Sequence, residues 1–435
     1  MKYQILTGIL LFNTLLFMNC YSQQAEKDSL TLEDAIRLTL INQPLIQQAL
    51  EQVNAADAKI KEQNSFYYPK FDANLSYIRI GPIPTIEFGG FGFTLAPDNN
   101  YNMHISASQL VYDFGKRDAM LDLMKSYKLS SEDKINLIKN NLTYGTIRIF
   151  YTILFLKKSI DVKNEQINTL NKHLEITNKK VQSGSATDFD VLTTQVRVAD
   201  AENQKIDIEN ELSKAEINLK SMLNLKPEQY LNLTGEFKVD STVYDSSLML
   251  NEALQERPEM KLARDAEKSA LVSKQVASKE DLPALRVIAN YGLKNGFEPN
   301  LDVLRGNWSA GINASIPIFN GNLRDAKEEE ADANWKSSSA NISALEKDIS
   351  VEVEQAVADV KANLLKIKTS ELQVKQAMQA VSRAEIKYRD GVITNLDLID
   401  AETSLAQAKL GLLQIRYRNV LGYYNLKKAT GFVFE

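Results

Sequence analysis

The sequence is short of the residues that usually carry chemistry: among 435 positions there is one cysteine and two histidines, with ten prolines. Cys20, His104 and His173 lie far apart and leave little room for a zinc or iron–sulfur site. A balance of 51 basic against 56 acidic residues, net −5, provides no basic field and argues against nucleic acid as a partner. No apolar run approaches the ~20 residues that a membrane-spanning helix needs. A phosphate-binding Gly-rich loop, a nucleophile elbow and an HExxH pattern are all missing, and no acid, base and nucleophile stand out as a set, so the sequence points to no enzyme and no cofactor. What remains, 44% apolar residues, suffices for a folded protein, and by length alone two or three domains of roughly 150 residues would be expected.

Residues 1–22 read as a secretory signal: Lys2 supplies the positive start and Ile5–Met18 the short apolar core, with Cys20 and Ser22 as small residues before the cut. The competing reading makes Cys20 a lipid-modified N-terminus, against which Asn19 is a poor fit. On the first reading the exported chain has no thiol and must be held by packing or assembly.

The prolines fall in two zones, at 44, 69, 82, 84 and 97 and at 227, 258, 283, 299 and 317, leaving 98–226 and 318–435 free of them. Proline costs a helix interior roughly 3 kcal/mol, so these tracts read as long helices. The pattern occurs twice because the chain is duplicated. At an offset of 214, Leu40, Pro44, Ala49, Ala56, Pro69 and Tyr77 meet Leu254, Pro258, Ala263, Ala270, Pro283 and Tyr291. At an offset of 207, Lys180, Gly184, Thr187 and Asp190 meet Lys387, Gly391, Thr394 and Asp397. The expected organisation is a first repeat over 23–237 and a second over 238–435. Each has a first helix (31–66 and 246–280), two strands, a very long helix (116–182 and 322–389), a Gly-containing turn and a returning helix (187–223 and 394–428). At ~1.5 Å per residue the long helices would span ~100 Å, more than a compact domain holds, which points to a coiled coil, fibre or tube.

Four short segments alternate between two environments. Phe71, Ala73, Leu75 and Tyr77 face away from Asp72, Asn74 and Ser76, and Met103, Ile105, Ala107 and Val111 face away from Asn102, His104, Ser106 and Ser108. The second repeat sets Leu285, Val287, Ala289, Tyr291 and Leu293 against Arg286, Asn290 and Gly292, and then Trp308, Ala310, Ile312, Ala314 and Ile316 against Ser309, Gly311, Asn313 and Ser315. A sheet over a soluble core has the same period, but here no other sheet is available to pack on. Barrel strands with a lipid face and a polar lumen fit better, and since four strands cannot close where ~8 is the practical minimum, the barrel would be shared among copies. His104 and His173 read as lumen or surface residues, Glu328, Glu329 and Glu330 as a solvated helix face, and the loop Gly81–Asn100 as either an external mouth or a plain loop.

This order of elements resembles the TolC family of outer-membrane efflux proteins. The resemblance is carried by Leu30–Pro44 (LTLEDAIRLTLINQP), Leu110–Ala119 (LVYDFGKRDA), Ile316–Ala326 (IPIFNGNLRDA), Lys180–Leu192 (KVQSGSATDFDVL) and Lys387–Ala401 (KYRDGVITNLDLIDA). It implies a mainly helical fold with a small membrane β part. Three chains would form a twelve-stranded barrel continued by an α-helical periplasmic tunnel, in the outer membrane of a Gram-negative bacterium, docked to a periplasmic adaptor and an inner-membrane transporter. It also implies an entrance at the hairpin turns, Gly184 and Gly391, closed by a Tyr–Arg–Asp network and aspartate rings. Tyr388 matches the tyrosine, Asp190 its acid, and Asp397 and Asp400 the rings, whereas Ile393 stands where the arginine would be, with Arg389 nearby. Asp190 and Asp397 could equally be caps of the helices that follow the glycines. A structural or adhesive coiled-coil surface protein is the alternative to a conduit.

Overall fold

The computed structural model describes residues 29–239 and 241–432; the signal-peptide reading and Cys20 lie outside the described residues. The fold is predominantly helical. Helices α1 (Leu32–Asn42) and α2 (Pro44–Ser65) are followed by strand β1 (Lys70–Arg79), the hairpin β2 (Thr85–Phe88) and β3 (Phe91–Thr94), and strand β4 (Asn99–Tyr112). Helix α3 (Lys116–Gln182) and helix α4 (Asp188–Met222) complete the first half. The second half runs α5 (Ser246–Glu256), α6 (Pro258–Ser278), β5 (Ala284–Lys294), β6 (Arg305–Ser315), α7 (Leu323–Arg389) and α8 (Asn395–Ala429). Among the described residues no helix is long and apolar enough to cross a membrane.

The single first helix expected in each half is in fact two. Gln43 (ψ 122°) and Arg257 (ψ 130°) are extended, because the ring of the following proline clashes with a helical residue before it. Pro44 and Pro258 then open new helices, where a missing N–H costs nothing. The loop Gly81–Asn100 is not plain either. Gly89 and Gly90 (φ +62° and +85°) supply the two left-handed residues of a tight turn between β2 and β3.

The chain divides into two compact units, each drawing on both halves of the sequence. The first holds the described residues up to Pro44, Lys139–Asn251 and those from Glu352 onward. Its core sets Ile147, Phe150, Ile153 and Leu154 of α3 against Leu219 of α4, the Leu223 that caps it, and Leu32 and Ala35 of α1. Thr39 and Thr146 share a buried hydroxyl contact of 2.9 Å inside it.

The second unit, Leu45–Ile138 with Glu252–Val351, carries the four-stranded antiparallel sheet in the order β1-β4-β5-β6. Its register brings Ala73, Ile105, Tyr291 and Trp308 into one row, and Asn74, His104, Gly292 and Asn307 into the next. One face is therefore apolar across all four strands and the other polar. The apolar face is uncovered in the single chain, with Leu75 76% and Trp308 78% exposed. On the polar face Asn74 donates to Ser106 and Asn290 to Ser309. Among the described residues the outer edges of β1 and β6 have no strand partner.

The strand-end motifs are corners from β-strand into helix. Phe114 and Gly115 adopt φ +54° and +78°, while the buried Asp113 accepts the backbone N–H of Gly115 (3.2 Å) and Arg117 (3.0 Å). Arg117 pairs with Asp113 at 3.0 Å, donates to the carbonyls of Phe66 and Leu110 and stacks 4.6 Å over Tyr67, pinning strand ends to the helix start. In the second half Gly321 and Asn322 take the left-handed conformation, and Asn320 accepts the N–H of Leu323 at 3.2 Å.

Candidate functional site

The residues singled out by the sequence gather where α3 turns into α4 and α7 into α8, all within the first unit. Gly184 (φ +73°) and Gly391 (φ +74°) terminate the long helices. The turn closes the same way twice: Ser185 N–H donates to the Lys180 carbonyl and Val392 N–H to the Lys387 carbonyl, each at 2.8 Å. A side chain with a Cβ is strained at that φ, which is why glycine stands at both places.

Asp190 and Asp397 each close a capping box. The Asp190 carboxylate accepts the N–H (2.9 Å) and hydroxyl (2.8 Å) of Thr187, and Asp397 does the same for Thr394 at 2.8 and 2.6 Å. The threonine hydroxyls in turn accept the N–H of the aspartates, so two orphan donors are satisfied at each helix start. The hydrogen bonds from Thr394 hold the Asp397 carboxyl below the usual carboxylate range. Asp400, one turn further along α8, is exposed.

Tyr388 is buried and makes no contact with the carboxylate of Asp190. Its hydroxyl lies 3.3 Å from that of Thr177, its ring 5.0 Å from the His173 ring, and the Lys180 ammonium 3.9 Å from its centroid on the way to the Tyr388 carbonyl at 2.6 Å. The hub is Asn395, the first residue of α8. His173 Nε2 donates to its Oδ1 (2.6 Å), while its Nδ2 donates to the Asp190 carbonyl and to Thr194 Oγ1, both at 3.2 Å. Three helices, α3, α4 and α8, thus meet through one side chain, and Tyr388 of α7 is joined to Asp190 through Thr177 and Asn395 rather than directly.

His173 corrects the sequence reading. At 3% exposure it is neither a lumen nor a surface residue but an interior one. His104 lies on the polar face of the sheet, with Nδ1 3.2 Å from Asn102 Oδ1. Among the described residues no group of three or more His, Cys, Asp or Glu is placed to hold a metal ion. The sequence reading gives no role to Asn395, Thr177 or Thr194, and Lys180 enters it only as a repeat match to Lys387. The usable signal was His173 and Thr177 at i, i+4, one polar pair on one face of a helix.

Burial pushes the imidazole of His173 down from its ordinary value, with the Lys180 charge adding and the Asn395 contact opposing. A folded-state pKa below the unfolded one means that the unfolded chain takes up this proton first as pH falls. The contribution is therefore fully present above about pH 6.5 and is lost as the pH drops toward the folded value. Thermal melting should show a fall in stability below pH 6.5 that His173→Gln largely removes; an unchanged pH profile in that variant would count against the burial argument.

The Outer membrane efflux protein family model matches residues 35–225 and 249–432. Outer membrane protein TolC of Escherichia coli is 21% identical over 410 residues, covering 91% of this chain and 81% of that protein. The toluene efflux pump outer membrane protein TtgC of Pseudomonas putida is 24% identical over 411 residues, covering 92% and 82%. In fold the chain is similar to the Campylobacter jejuni CmeC outer membrane channel, with a TM-score of 0.80 at 19% identity and coverage of 93% of this chain and 86% of that one. The chain belongs to the outer membrane efflux protein family, whose members are channel proteins of the bacterial outer membrane.

Proposed function

We propose that three copies of this chain form the outer-membrane exit duct of a tripartite efflux or type I secretion system. A periplasmic adaptor and an inner-membrane transporter supply selection and energy. The single observation that carries this reading is the four-stranded sheet: one exposed apolar face, one polar face and two open edges. In lipid an open edge leaves backbone groups unpaired at several kcal/mol each, so edges must close on other copies. Three times four strands gives twelve, above the ~8 needed for closure. The apolar face then meets lipid and the polar face lines the lumen.

A second feature supports assembly. On α4, Phe189, Leu192, Val196, Ile206 and Ile217 are exposed and fall on a heptad pattern, the seam of a coiled coil left uncovered by the described residues. An adhesive stalk would use such a seam too, but it has no use for a polar sheet face. Native mass measurement of the detergent-solubilised protein should give three chains. A stable monomer would defeat the proposal.

The turns carrying Gly184 and Gly391 are assigned to the periplasmic entrance, with Asp400 lining it and Asp397 serving as both cap and charge. Three copies of each around an axis would crowd carboxylates and favour cations. Within one chain the Thr394 hydrogen bonds lower the Asp397 pKa, so any rise has to come from neighbouring copies. Without an arginine at Ile393, the Lys180–Tyr388 contact takes its place in holding the hairpins together. Asp397→Asn with Asp400→Asn keeps a capping oxygen while removing the charge. Single-channel recordings should then show cation preference falling severalfold with conductance retained, and unchanged selectivity would remove both residues from the pore.

A further inference from the structure

Two residues beyond Asp400, on the opposite side of α8, Glu402 is 6% exposed and its Oε2 has no hydrogen-bond partner. It borders a half-enclosed cavity of 190 Å³ within the first unit. Three helices supply the charges that face it: Glu165 from α3, Glu385 from α7, and Glu402 and Lys409 from α8. Lys409 is already committed, because its ammonium donates to Glu165 at 2.6 Å. Among the described residues neither Glu402 nor Glu385 has an ion-pair partner. Burial, with the like charge of Glu385 added, pushes the Glu402 carboxyl up to about 7.

A buried carboxylate without donors is costly, and it is relieved either by a proton or by a counter-cation. The other walls narrow the choice of cation. Gln166 and Thr169 are neutral, and Val162, Val381, Leu405 and Ala406 form an apolar wall that suits a hydrocarbon tail rather than a hydrated metal ion. A cavity of about 150 Å³ is known to hold a benzene-sized guest, so this one has space for a small organic molecule. We propose that the cavity binds a small primary alkylammonium ion, with its N–H groups on Glu402 and Glu385 and its tail against Val162, Val381 and Leu405. The site does not depend on the duct reading, since binding is measured without transport.

The test is calorimetric titration of butylammonium chloride into the purified full-length protein in detergent, at an ionic strength fixed with sodium chloride. Saturable binding of one ion per chain is expected at pH 8. Because Glu402 has to be ionised to hold the ammonium beside Glu385, affinity should weaken about tenfold between pH 8 and pH 6. Glu402→Gln should abolish the saturable heat, Glu385→Gln should weaken it, and Glu329→Gln, exposed on α7 and outside the cavity, should leave it unchanged. Leu405→Trp, which fills the cavity and leaves both carboxylates in place, should also abolish binding and serves as the second variant should Glu402→Gln fail to fold. Absence of saturable heat at pH 8, or equal affinity in the wild type and Glu402→Gln, would overturn the proposal.

Discussion

Gly292→Val should destroy the sheet and, with it, any heat- and protease-resistant oligomer. Gly292 sits opposite His104 in the β4–β5 pair. A Cβ added there would stand 2.0 Å from the Met103 carbonyl oxygen and 2.6 Å from the His104 Cα. Both are backbone atoms, so neither can rotate away and the two strands must part. Overpacking usually costs about 1–3 kcal/mol when side chains can yield. Here the ladder itself has to yield, so a cost of at least about 3 kcal/mol is expected. The β4–β5 pair is also the seam between the two halves of the chain, so its loss leaves two separate hairpins in place of one four-stranded piece. Gly311→Ala is the matched control, since a Cβ there meets nothing within 4 Å. Resistance of the oligomer to heat and protease should survive in Gly311→Ala and vanish in Gly292→Val. A wild-type oligomer in the latter would show that the close approach does not constrain the sheet.

Asn395→Leu should loosen the hairpin ends as a unit. The substitution keeps the volume and removes both polar atoms, so His173 Nε2 loses its acceptor and the Asp190 carbonyl and Thr194 lose a donor. Each buried group left unpaired costs about 1–3 kcal/mol, which puts the expected loss near 3 kcal/mol. Amide exchange should accelerate at the end of α3 and the start of α8 while the Phe150 core stays protected. Asn395→Asp supplies a second reading of the same contact. It restores an acceptor for His173 but adds a buried charge, so it should be better tolerated at acidic pH, where the imidazole can protonate and pair with it. Equal melting temperatures for wild type and Asn395→Leu would show that Asn395 is not the hub.

How far the sequence could be read depended on whether the signal was periodic. The proline-free tracts and paired glycines placed the long helices at 116–182 and 322–389, against Lys116–Gln182 and Leu323–Arg389 in the structure. Alternation placed both faces of the sheet, because its period of two survives any register that keeps the rows aligned. The breaks at Pro44 and Pro258 depart from the single first helix expected in each half, although both prolines are in plain view. Apolar spacing continues across them, and it masked the extended residue that each requires. The β2–β3 turn is hidden for a similar reason: Gly89-Gly90 reads in the sequence as part of the loop Gly81–Asn100 rather than as a turn signal.

The candidate site was harder to read than the helices that carry it. A Thr-x-x-Asp after a glycine serves equally well as a capping box or as a pore acid, and the geometry shows the box. The Asn395 network joins His173 to a residue 222 positions away. No local pattern announces such a contact. Glu402 reads in the sequence as one more charge on a polar helix, and only the packing of three helices around it reveals that it is buried.

The central claim is a shared duct, and single-channel recording tests it most directly. The purified full-length oligomer, added to a planar bilayer, should give discrete, long-lived conductance steps that prefer cations, with Asp397→Asn and Asp400→Asn reducing that preference. A bilayer-inserted oligomer that never conducts, or a protein that stays monomeric and soluble without detergent, would contradict the account.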